Sequence, residues 1–203
     1  LIQDLTKVVY TSIDVFGQYV GLSIPEEYYP QIHLEKVNKG AYSPLFNQLR
    51  ISLDDIDTGS IYGEELGHFY RAFFRKKAVD DFKVNIAPKG DISFAYKDPH
   101  SKVVSEFFGF MGRKIFQQAN TKDRRVKFSE ESLDFSSESY LLMSRDELKQ
   151  LMEEEGLDEV EQESRLAHHE GYNFANKIDI TKITDWEKFF SMSEEEVEER
   201  FFT

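Results

Sequence analysis

The chain has 203 residues, 40% of them apolar, with 18 Phe, 10 Tyr and no Cys. That is ample material for a folded core, and it excludes a disulfide framework, thiolate metal sites, iron–sulfur ligation and thiol catalysis. A net charge of −13 argues against a nucleic-acid binder, because phosphate contacts need clustered Lys and Arg.

The charge is uneven. Residues 1–128 carry 18 Lys and Arg against 16 Asp and Glu, whereas residues 129–203 carry 7 against 22. Composition therefore divides the chain into a near-neutral region, 1–128, and an acidic region, 129–203. The acidic region is expected either as a separate unit or packed on the first as one domain. No apolar run approaches the roughly 18 residues of a membrane span, and no signal-peptide pattern opens the chain. These absences, with that of Cys, favour a soluble cytoplasmic protein. The chain opens on Leu1 rather than Met, which leaves room for residues before it.

Ile2, Leu5, Val8, Val9, Ile13, Phe16 and Val20 recur at helical spacing, and Gly21 and Pro25 close the pattern, predicting a helix over 2–22. Residues 31–37 alternate like a strand, followed by a turn at Asn38-Lys39-Gly40. His33 there is expected to face water rather than metal. Residues 48–53 predict a second strand, and Asp57, Thr58 and Ser60 are candidate N-caps for the helix after it. Residues 82–86 and 92–96, around Pro88-Lys89-Gly90-Asp91, read as a hairpin.

Asp98-Pro99 predicts the start of another helix, with Asp as N-cap and Pro in the first turn. Val103, Val104, Phe107, Phe108, Met111, Ile115 and Phe116 form its apolar face. Residues 119–138 read as a polar linker. Ser144 and Glu147 match a capping box, with Gly156 as terminator. A helix is expected over 158–178, its stripe formed by Val160, Ala167, Gly171, Phe174 and Ile178, and Ser193 caps a last short helix. No internal repeat of about 20–50 residues is visible. The whole predicts an α+β fold: a small mixed sheet packed on helices, followed by an acidic helical region.

The helix after the second strand carries Gly63-Glu64-Glu65-Leu66-Gly67-His68. Positions i and i+4 share a helix face, with Cβ atoms roughly 5–6 Å apart. Glu64 and His68 thus form a two-point metal clip, since carboxylate and imidazole both ligate zinc. Glu106 lies beside the apolar face of the next helix. The pattern resembles the zincin-like metallopeptidases of the gluzincin type, with Glu-Glu-Leu-Gly-His in place of their His-Glu-Leu-Gly-His. The resemblance covers roughly residues 45–120. It implies a metal-dependent peptidase, or an inactive relative, acting on a peptide or protein. By it Glu64, His68 and Glu106 are the metal ligands, Glu65 is the catalytic base, and zinc is the implied ion; a chain with no cofactor is the equal alternative.

His168-His169-Glu170 is a second cluster. Adjacent helical residues point about 100° apart, so only one of His168 and His169 can approach the first cluster and restore the missing imidazole. Two other functions stay open. One is a non-catalytic interaction or structural protein, whose acidic helices bind a basic partner or fold over the basic runs Arg75-Lys76-Lys77 and 122–127. The simplest reading of those runs is a solvated helix end and loop. The other is a carboxylate–histidine di-iron protein built on Glu65-Leu66-Gly67-His68, a class that needs two such Glu-x-x-His motifs; one is present.

Overall fold

The computed structural model describes residues 2–36, 40–52, 59–80, 92–96, 98, 101–126 and 136–203. It is an α+β structure with a three-stranded sheet and helices packed around it. Helix α1 spans Ile2–Val20 and ends where Gly21 turns left-handed, at φ 69°, a conformation that costs glycine nothing. After a 3-10 turn over Glu26–Tyr28 come strands β1 (Gln31–Glu35), β2 (Ala41–Ser43) and β3 (Gln48–Ser52). Their spatial order is β1-β3-β2. Strand β1 runs parallel to β3 with Gln31 opposite Gln48, and β2 runs antiparallel with Tyr42 opposite Leu49. Leu49 and Ile51 of the central strand are buried.

Helix α2 (Gly59–Asp80) follows the sheet, and α3 (Lys102–Lys122) packs along it. The acidic region supplies α4 (Arg145–Glu155), α5 (Glu159–Asn176), α6 (Trp186–Ser191) and α7 (Glu194–Phe201). Helices α5 and α7 pack on α3, and α6 packs on α2. Phe189 and Phe190 of α6 join the same core as Phe16, Tyr70, Phe107 and Phe108. Each such ring withdraws apolar area worth about 2–3 kcal/mol from water.

Several sequence expectations are corrected. Residues 92–96 form no strand; Phe94 N–H donates instead to Pro44 O at 2.8 Å. The rest of the expected hairpin, the Asn38-Lys39 turn, the caps at Asp57 and Thr58, and Pro99 lie outside the described residues. Helix α3 is capped by Ser101, whose hydroxyl accepts from Val104 N–H, because Asp98 is taken by Arg75 in a two-point ion pair. The helix also runs to Lys122, into the stretch read as linker. Val160 leaves the α5 stripe and is 69% exposed. Nor is the Arg75-Lys76-Lys77 run merely solvated. Arg75 donates to Ser191 O, Lys76 to Ala95 O, and Lys77 pairs with Glu187 at 3.1 Å. Among the described residues, no helix is long and apolar enough to cross a membrane.

Candidate metal centre

The centre is assembled where α2, α3 and α5 meet, and glycines decide how closely they meet. Gly67 of α2 faces α3 main chain directly: a methyl group at its Cα would strike the Phe108 carbonyl and stand 2.9 Å from Gly112 Cα. Gly109 of α3 leaves the space that two α2 side chains fill. A Cβ there would lie 2.7 Å from His68 Nε2 and 3.0 Å from Glu64 Cγ. Gly171 of α5 plays the same part against Glu106, whose Cβ would be 2.7 Å from an added methyl. Side chains from three helices therefore converge.

Ligand atoms of Glu64, His68 and Glu106 all lie within 4.8 Å of one another. Glu64 is buried, 5% exposed, a costly place for a carboxylate without partners. It is compensated by Arg113 Nε at 3.7 Å from Oε2 and by His168 Nε2 at 3.2 Å from Oε1. The same His168 nitrogen is 2.9 Å from Glu106 Oε2. That contact is short but not aligned as a hydrogen bond, so Glu106 Oε2 is a buried oxygen without a hydrogen-bond partner. On its far side, His168 Nδ1 meets Tyr140 Oη at 3.1 Å, and its ring packs on Phe110 at 5.2 Å between centroids. Burial works against protonating His168, but its contacts with Glu106 and Glu64 outweigh burial, and its pKa is pushed up to about 9. The Glu106 and Glu64 side chains on either side of His168 thus favour its protonated form.

The donors fit a metal ion on their own chemistry. Two carboxylates and up to two imidazoles, without thiolate, suit zinc, manganese or iron(II). Glu106 Oε2 is buried, paired with His168 Nε2 but without an aligned hydrogen bond, and so retains acceptor capacity.

Glu65, expected as catalytic base, is engaged elsewhere. Its Oε2 accepts from Tyr42 N–H of β2 at 2.7 Å, so its carboxylate faces the sheet. This follows from helix geometry, which turns adjacent residues about 100° apart. Although Glu65 and His68 at i and i+3 are also helix neighbours, the Glu65 carboxylate is turned to Tyr42, and the pair brought into the cluster is Glu64 with His68 at i and i+4. His169 is not at the centre either. It is 4% exposed, donates toward Met143 O at 2.7 Å and sits beside Asn173. Arg113 and Tyr140 were not singled out from sequence. Nothing in their spacing marks them, because both reach the centre only through tertiary packing. His33 is half-buried on β1, outside the cluster.

No family model matches the chain, and no curated protein and no solved structure matches it.

Proposed function

We propose that the chain is a zincin-like metal protein in which Glu64, His68 and Glu106 hold one divalent ion, with zinc the first candidate. The observation that supports this is the convergence of three donor residues from two helices within 4.8 Å. Arg113 and His168 give the buried Glu64 carboxyl polar partners. The chemistry an ion supplies at such a donor set is Lewis-acid polarisation of a carbonyl or similar group. The groups this chain brings to the centre bind and orient. The residue at the position of the motif's base, Glu65, is occupied by the Tyr42 amide. Of the two versions the resemblance allows, this favours the relative without motif-driven peptide hydrolysis.

Metal analysis tests the reading. Chelator-treated protein is titrated with zinc, and separately with manganese and iron(II), while bound metal is measured by elemental analysis. The expected result is one equivalent for the wild type and a large loss of affinity for His68→Gln and Glu106→Gln. No stoichiometric binding of any of the three ions would overturn it. Zinc-dependent peptide cleavage abolished by Glu65→Gln would overturn the non-hydrolytic version alone.

A further inference from the structure

We propose that His168 is a fourth protein ligand of the same ion, which closes the centre with side chains and makes it a cross-link between α2, α3 and α5. This rests on the reading above and assigns the centre a structural rather than an open, substrate-binding character.

Spacing is the first argument. Donors about 2.0–2.2 Å from a tetrahedral ion stand about 3.3–3.5 Å from one another. His168 Nε2 is 2.9 Å from Glu106 Oε2 and 3.2 Å from Glu64 Oε1. It is therefore a direct neighbour of both carboxylate donors, although the donors that all lie within 4.8 Å of one another are Glu64, His68 and Glu106, so that ligation by His168 requires it to move in toward them.

Orientation is the second. Metal-bound imidazoles hold their other nitrogen in a hydrogen bond, which fixes the tautomer and aims the ring. Tyr140 Oη lies 3.1 Å from Nδ1. In the tautomer with its proton on Nδ1, His168 donates to that oxygen and leaves the Nε2 lone pair facing Glu64 and Glu106. Phe110 supports one side of the ring, and Gly171 brings α5 against the Cβ of Glu106. The ring is thus held on both sides rather than swinging in solvent.

The consequence concerns coordination number. Catalytic zinc centres keep three protein ligands and an open position, whereas structural centres close the fourth with protein. A Glu64, His68, Glu106 and His168 set is of the second kind. It also makes the ion a bond between the near-neutral and acidic parts of the chain, since α5 belongs to the latter.

Cobalt(II) binding tests this without any assay of activity. Full-length chelator-treated protein is titrated with cobalt(II), with affinity read by competition against a chromophoric chelator and ligand set read from the visible absorption band. The expected result is a weaker affinity and an altered band for His168→Ala, both moved back toward wild type by added imidazole. Tyr140→Phe removes one hydroxyl and should weaken binding about 10–100-fold through loss of the orienting bond. It decides the matter if His168→Ala does not fold. Wild-type affinity and an unchanged band in His168→Ala, or in Tyr140→Phe where the first variant is unfolded, would overturn the fourth ligand while leaving the three-residue centre standing. Failure of the wild type to bind any ion would overturn both.

Discussion

Glu64 and Glu65 are neighbours with opposite destinies, and the difference is one helical step. Glu64 turns into the α2–α3–α5 junction, while Glu65 turns to the sheet and accepts from Tyr42 N–H. Truncating Glu65 to Ala should leave a strand amide without its partner and cost about 1–3 kcal/mol. Urea unfolding measures that cost, and metal titration of the same variant should show unchanged affinity; a loss of binding would place Glu65 at the centre after all. His168 gives the second residue-scale expectation, for the chelated protein. Its pKa in the fold is raised to about 9 from an unfolded value near 6.5. Its protonation therefore contributes stability that is fully present below about pH 6.5 and is lost as pH rises through 9. The urea midpoint should fall between pH 6.5 and 9.5 in the metal-free wild type and fall less in His168→Gln. Equal slopes in the two would remove the imidazolium from the account.

Among the elements, features settled by near neighbours in sequence are legible in it. The capping boxes Ser144 with Glu147 and Ser193 with Glu196 are both formed, and Gly156 ends α4 at φ 66°, because a cap is settled by residues three or four apart. Elements settled by distant partners differ from the sequence expectation. The N-terminus of α3 shifted from Asp98 to Ser101 because Arg75, on another helix, claims the Asp98 carboxylate. Three-residue β2 is too short for alternation to show, yet it exists by pairing with β3. The cluster of Glu64, His68 and Glu106 is legible in the sequence because helical spacing pairs the first two and the resemblance to gluzincins points to the third. His168 needed the α3–α5 crossing, and Tyr140 and Arg113 had no local signature at all. The crossings themselves depend on Gly67, Gly109 and Gly171. Gly67→Ala puts a methyl group against the Phe108 carbonyl, an overpacking expected to cost about 1–3 kcal/mol or more and to weaken metal affinity by parting the ligand helices. Differential scanning calorimetry with metal titration checks both; wild-type values for each would show that α2 and α3 yield without loss.

At the scale of the molecule, the acidic region is the cover of the core rather than an appendage. Its apolar side is Trp186, Phe189 and Phe190. Its polar attachment is an exchange of cations for main-chain carbonyls. Arg71, 3% exposed, donates to Phe190 O at 2.9 Å and to Met192 O, with its guanidinium 4.3 Å from the centre of the Phe108 ring. Lys114 donates to Ala175 O at 3.0 Å and to Ile178 O. Individual cations of the first region, Arg71, Arg75 and Lys114, thus hold the acidic region partly through carbonyls, which composition does not reveal. Arg71→Leu keeps much of the volume but leaves those acceptors unpaired, at a cost of about 2–3 kcal/mol. Trp186 fluorescence and far-ultraviolet circular dichroism should still report one shared unfolding midpoint in this variant, lowered in both; two separated transitions would show that the regions fold apart.

Main chain rests against main chain where Gly67 meets Gly112, so the two rods have no compressible material between them. A jaw built this way cannot be opened or narrowed by trimming a side chain; changing its gape means bending a backbone. For the centre proposed above, ion preference would then be set by the donors themselves, and the gap they span should survive substitutions that spare the contact.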